Sequence, residues 1–142
     1  MSPETPYWNP ELETMPRKGL EEIQTRLLKD LVQRAYDESP FYRDLYRKAG
    51  VEPGDIKTLA DVRHLPFIDK HNAREAFPTG HLMVPLGQVR EIHTSTTPTR
   101  QSLPVYATEK DIERWGERCA RILWMTGLRK GDILQNAFRF GL

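Results

Sequence analysis

Residues 89–125 read VREIHTSTTPTRQSLPVYATEKDIERWGERCARILWM. Val89 to Thr96 alternates as a half-buried strand does, with Val89, Glu91 and His93 on one face and Ile92 on the other. Ser102 to Thr108 alternates again and puts Leu103, Val105 and Ala107 on one face. A short polar connection joins the two, so they predict a β-hairpin. Thr108 is then placed to cap a helix, with Asp111 closing a capping box in place of the usual Glu. Ile112, Trp115, Cys119, Ile122 and Leu123 recur at helical spacing and form its apolar stripe. Gly127 is the stop.

Downstream, Leu128-Arg129-Lys130-Gly131-Asp132 reads as a turn and Ile133 to Phe138 as a buried strand. Upstream, residues 19–38 predict an amphipathic helix on Leu20, Ile23, Leu27, Leu31 and Tyr36, widened by Leu28, Val32 and Ala35. Ser39-Pro40 ends it. Residues 41–49 predict a shorter helix with Phe41, Tyr42, Leu45 and Tyr46 on one face, stopped at Gly50. Between 51 and 80 come short helices and loops. Thr58 caps one helix through Asp61, with Leu59, Val62 and Leu65 inward. Asp69 caps another that runs through Phe77 to Pro78 and Gly80. Residues 1–17 hold Trp8-Asn9-Pro10 and Met15-Pro16, extended or turn dipeptides by the restriction that proline places on its predecessor. They read as an arm that docks through Tyr7, Trp8 and Met15.

The expected organisation is a docked arm over 1–17, a helical subdomain over 18–88 and an incomplete α/β portion over 89–142. A parallel sheet needs crossovers and cover on both faces. The strands here are too few for one, so the fold class is α/β and the chain reads as the front part of a larger domain. The uncovered strand edges predict self-association or a protein partner.

Composition narrows the function. The chain has 142 residues, one ordinary domain by length. Lys and Arg number 21 against 20 Asp and Glu, a net charge of +1. A nucleic-acid binder that works by counterion release carries a clear basic excess, so nucleic acid is not the expected partner. No stretch approaches the roughly 20 apolar residues that span a bilayer, and residues 1–13 lack the pattern of a secretory signal. Cys119 is the single cysteine, which excludes an intrachain disulfide and fits a reducing cytoplasm. Four histidines and one cysteine, scattered, give no zinc ligand set. His64, His71 and His81 read as surface or helix-end imidazoles, and His93 as a residue that orients the backbone beside it.

Several strings together resemble one family. Tyr7-Trp8-Asn9-Pro10-Glu11-Leu12-Glu13-Thr14-Met15-Pro16, Ser39-Pro40-Phe41-Tyr42-Arg43 and Leu65-Pro66-Phe67 with Asp69-Lys70 are similar to the start of phenylacetate–CoA ligases. Ile92-His93, Thr108 with its helix, Gly127-Leu128-Arg129-Lys130-Gly131-Asp132, Gln135-Asn136-Ala137-Phe138 and Gly141-Leu142 continue the likeness in order. The resemblance implies an adenylate-forming enzyme and, for this chain, the N-terminal part of its large α/β domain. It implies ATP and Mg²⁺ for activating an aryl carboxylic acid as its acyl-adenylate, and CoA as acceptor of the acyl group.

The same resemblance exposes a departure. The family's phosphate loop reads S-S-G-T-T-G-K-P, where this chain has Ser95-Thr96-Thr97-Pro98-Thr99-Arg100-Gln101-Ser102. Ser95, Thr96 and Thr99 keep hydroxyls and are the remnant that could touch phosphate. Thr97 and Arg100 stand where both glycines belong. Glycines in such a loop admit positive φ and close backbone approach, so that N–H groups face the anion. Thr97 resists positive φ, and Pro98 has no N–H to donate. Gln101 removes a cation. A change of reading frame across 96–101, restored afterwards, would give this pattern with both flanks intact. The resemblance also places Phe138 and Phe140 near an aryl-acid pocket, while the residues by themselves read as a strand core residue and a strand end. The expectation is therefore a truncated or split ligase of phenylacetate catabolism, inactive alone. The alternative is a non-catalytic module that docks on a ligase or another protein.

Overall fold

A computed structural model of the chain describes residues 5–94 and 103–137. These fall into two compact units, one comprising residues 1–15 and 109–142 and the other residues 16–108.

In the larger unit, helix α2 (Arg17–Glu38) follows Pro16, and α3 (Pro40–Lys48) follows it after a single residue. α1 is the short Pro10–Glu13 turn that precedes them in the chain. Ser39 makes the α2–α3 corner. Its backbone is extended (φ −120°, ψ 114°), its N–H still donates to the Ala35 carbonyl at 3.2 Å, and its Oγ accepts from the Tyr42 N–H at 3.5 Å. Pro40 then occupies the first helical position, where a missing N–H costs nothing. α3 closes at Gly50 in the left-handed region (φ +67°), with the Gly50 N–H on the Arg47 carbonyl and the Val51 N–H on the Tyr46 carbonyl. That pair of bonds is the glycine-terminated stop the sequence predicts.

The core sits where α2 meets α3 and the segment after it. Val32, Ala35, Tyr46 and Ile56 are buried together, and Leu28, Tyr36, Tyr42, Leu65 and Met83 pack on them. Thr58 and Asp61 form the predicted capping box, but on a 3₁₀ helix (Leu59–His64). The Thr58 N–H and hydroxyl donate to Asp61 Oδ2 at 2.7 and 2.9 Å, and these bonds hold the Asp61 carboxyl below its ordinary range. Leu65 packs on the core, whereas Val62, expected inside, stays 52% exposed. Asp69 caps α4 (Lys70–Glu75), which ends at Glu75 with Ala76 as its C-cap and not at Phe77. The chain then turns through Gly80. A Cβ there would meet the Ala76 carbonyl oxygen at 2.8 Å, so the close approach itself demands glycine.

β1 (Val89–Thr94) and β2 (Pro104–Thr108) pair antiparallel, with Glu91 opposite Ala107, His93 opposite Val105 and a bulge between Val89 and Glu91. The hairpin is the one the alternation predicts. Its expected continuations to Thr96 and back to Ser102 lie outside the described residues. Ala107 is fully buried, while Ile92 is 58% and Val105 50% exposed.

In the smaller unit, α5 (Glu109–Met125) carries Glu109 and Asp111 in its first turn, where acidic groups favour the helix dipole. It stops at Gly127 (φ +95°), as the sequence predicts. Asn9 caps α1 by accepting the Leu12 N–H at 3.0 Å, and Pro10 takes the first helical position. Residues of the arm lie on α5. Trp8 Nε1 donates to Glu117 at 2.9 Å, its ring meets Trp124 edge-on at 5.6 Å, and Trp124 Nε1 donates to the Thr5 carbonyl at 3.1 Å. The Arg121 guanidinium lies 3.3 Å from Glu13. Arg129 stacks 3.9 Å over the Trp124 ring and donates to the Trp124 carbonyl.

One expectation fails here. Residues 133–137 form no strand, and Ile133 and Leu134 are 99% and 59% exposed. A strand requires a neighbour to receive its N–H and C=O groups, and the described residues offer none at that place. The apolar stripe of α5 is partly covered: Ile112, Trp115 and Leu123 are half-buried, while Cys119 is exposed and Ile122 is 60% exposed.

Candidate functional site

The two ends of the hairpin's open side set the geometry. Thr94 and Pro104 are the last paired residues, so the connection that follows Thr94 begins and ends on adjacent strands. Ser95, Thr96 and Thr99, the phosphate-loop remnant, lie outside the described residues, as do Phe138 and Phe140. What the structure places are the flanks.

On β1, His93 Nε2 is 2.9 Å from Glu91 Oε2, and both side chains are about half exposed. The two sit on the same strand face, as alternation requires. The carboxylate fixes the imidazole ring against its own strand. His64 lies 3.9 Å from Asp61, and His71 3.5 Å from Glu75. Among the described residues no three His, Cys, Asp or Glu side chains converge on a point a cation could occupy. A shallow groove of about 530 Å³ runs along α2 beside Lys18, Glu21, Lys29 and Asp30. Its lining is the mixed-charge outer face of one helix, without convergent donors.

Behind the hairpin lies a seam that the sequence reading missed. The Tyr106 hydroxyl of β2 donates to the Pro78 carbonyl at 2.8 Å, and the His81 ring lies 5.7 Å from the Tyr106 ring. The fully buried Ser39 hydroxyl donates to the Gly80 carbonyl at 3.0 Å. The turn at 78–81 is thus tied on one side to the hairpin and on the other to the α2–α3 corner. No spacing rule could have found these contacts, since the partners are 28 and 41 residues apart.

His81 is accordingly half-buried. Its Nδ1 is buried with no hydrogen-bond partner among the described residues, and burial lowers its pKa below the ordinary 6.5. The unfolded chain then takes up the proton first. Folding stability falls as pH drops below about 6.5, and the loss is complete once pH passes the lowered folded value. The urea midpoint should therefore decrease between pH 7.5 and 5.5. His81→Phe should remove part of that decrease, and an unchanged pH dependence in this variant would refute the assignment.

With that geometry in hand, the comparisons decide the family. A phenylacetate–coenzyme A ligase of Thermus thermophilus is 38% identical over 135 residues, 95% of this chain and 30% of the relative. The chain belongs to the phenylacetate–coenzyme A ligase family. The ligases of that name from Aromatoleum evansii and Escherichia coli are 35% and 34% identical over 131 residues, again 30% of each. No family model matches the chain. The fold matches crystal structures of 2-hydroxyisobutyryl-CoA ligase, one in complex with 2-HIB-AMP and CoA (TM-score 0.84, 29% identity). That match covers 93% of this chain and 29% of that one. An open conformation of the same ligase matches with a TM-score of 0.83. The chain is the N-terminal part of this ligase fold and spans about 30% of the curated relatives' length. Among the described residues no helix is long and apolar enough to cross a membrane.

Proposed function

We propose that the chain serves an ATP-dependent acid–CoA ligase acting on an aryl carboxylic acid in phenylacetate catabolism, and that residues 1–142 by themselves do not catalyse it. The observation that carries the first half is the run of phenylacetate–CoA ligases at 34–38% identity across more than nine-tenths of the chain. In the reaction so assigned, a carboxylate oxygen attacks the α-phosphorus of ATP and pyrophosphate leaves. The CoA thiol then attacks the acyl carbon, loses its proton, and AMP leaves. The neighbour structures hold an acyl-adenylate and CoA, the species this sequence of steps requires. Mg²⁺, which the family uses, would neutralise phosphate charge. A cytoplasmic location fits the lone cysteine and the cofactors.

The second half rests on residue chemistry at the connection. Thr97, Pro98 and Arg100 replace residues whose backbone N–H groups would cradle phosphate, and Gln101 replaces a cation. Ser95, Thr96 and Thr99 retain hydroxyls but not the cradle. Phe138 and Phe140 keep rings that suit an aryl pocket. With ATP, Mg²⁺ and phenylacetate, the purified chain should show no carboxylate-dependent pyrophosphate exchange. Exchange above the no-acid blank would overturn its inactivity.

A second reading, a non-catalytic module that docks on a ligase or another protein, is favoured by the large apolar side chains left at the surface, Phe67 at 97% and Ile133 at 99% exposure. A monomeric chain that bound no apolar dye would count against it.

A further inference from the structure

The geometry points to α2 as the surface through which two copies of this chain pair, antiparallel about a twofold axis at Leu27. α2 carries two apolar stripes. On the first, Leu28, Val32, Ala35 and Tyr36 pack with Tyr46, Ile56 and Leu65 of the same unit. At about 100° per residue, Leu20, Ile23, Leu27 and Leu31 form a second stripe, its centre turned roughly 120° from the first. Leu27 is 55% and Leu31 49% exposed, and Leu20 and Ile23 are half-buried. By the same arithmetic Glu38 lies within this second stripe and Arg17 at its edge, and both are exposed.

The charges name the occupant. A helix dipole favours acidic groups in the first turn and basic groups in the last. α2 has the reverse: its first turn holds Arg17 and Lys18 and no acid, and its last holds Asp37 and Glu38 and no base. That order opposes the helix's own dipole. It suits a second α2 running the other way, whose acidic end meets this basic end on both sides of the axis. With Leu27 opposite Leu27 of the second copy, Ile23 faces Leu31 and Arg17 comes within reach of Glu38. Arg34 lays its aliphatic stem over Leu20. Arg17 donates through Nε to Glu21 along its own helix at 2.7 Å, and the guanidinium keeps further N–H groups for a second carboxylate. Parallel pairing would set like charges together at both ends. The inference stands apart from the ligase reading, since it uses α2 alone.

Sedimentation equilibrium of the 142-residue chain reads the mass, 16.5 kDa for one copy. The expected result is a reversible dimer that weakens as salt rises and is lost in Leu27→Asp. Arg17→Glu and Glu38→Arg should each weaken pairing about tenfold, because each replaces an attraction by a repulsion at both ends. An equimolar mixture of these two variants should recover a heterodimer as tight as the parent dimer, since opposite charges then meet again at each end. Both substitutions bring α2 into line with its own dipole, so each variant keeps its helices by circular dichroism. A dimer lost in a folded variant reports the interface and not the fold. A chain monomeric at every concentration would overturn the proposal, even if the remainder of a ligase bound the stripe. A dimer indifferent to Leu27→Asp, as pairing through the open strand edges would be, overturns it too. So does a mixture no tighter than its components.

Discussion

Residues 1–137, fused ahead of the part of the Thermus thermophilus ligase that they do not match, should form adenylate at least about 10²–10³-fold more slowly than the intact relative. That is the effect of losing a single preorganised donor to developing charge, and several positions of the connection are altered at once. Thr97 cannot readily take a positive φ, Pro98 offers no N–H, and Gln101 carries no charge. Restoring the glycine-rich pattern by Thr97→Gly, Pro98→Thr, Arg100→Gly, Gln101→Lys and Ser102→Pro should recover most of the lost rate. Pyrophosphate exchange measures both proteins. Equal rates before and after the restoration would show that the altered connection is not what silences the chain. Arg100→Gly alone should recover little, because Thr97 still stands at the other glycine position and Pro98 still offers no N–H.

The second large effect is expected in the core. Ile56 is 2% exposed and packs with Val32, Ala35 and Tyr46. Ile56→Ala removes three buried carbons and leaves a cavity, at a cost of about 2–5 kcal/mol. Whole domains are stable by roughly 5–15 kcal/mol, and few side chains of the unit over residues 16–108 are fully buried. The variant should unfold at a much lower urea concentration than the parent, or be unfolded in buffer, by far-ultraviolet circular dichroism. Val62→Ala, at a position 52% exposed, should move the midpoint by no more than about 0.5 kcal/mol equivalent. Similar losses from the two variants would mean that the core is not where Ile56 lies.

Much of the fold was legible because its signals are local. The helices over 17–38 and 40–48 declare themselves through spacing and through Ser39-Pro40 and Gly50, each of which performs the role its chemistry suggests. The Thr58–Asp61 and Asp69 caps were equally readable, since both partners lie within one turn. The missing strand at 133–137 shows the limit of such reading. An apolar run says that a segment suits a sheet, but only a neighbouring strand makes it one. The stripe of α5 shows another limit, because periodicity names a face without saying what covers it. The short helix at Pro10–Glu13 could have been found from Asn9 followed by proline. The seam of Ser39, Gly80, His81 and Tyr106 could not, as it depends on long-range contacts. At the candidate site, the residue types of the connection carried the functional reading, while their family assignment came from ordered short strings spread over the whole chain.

The placement of the aromatic residues has a practical consequence. All three tryptophans, Trp8, Trp115 and Trp124, belong to the unit formed by residues 1–15 and 109–142, whereas Tyr36, Tyr42, Tyr46 and Tyr106 belong to the other. Indole emission excited at the red edge therefore reports on the arm and its helix, so the arm's release can be watched in an unlabelled sample.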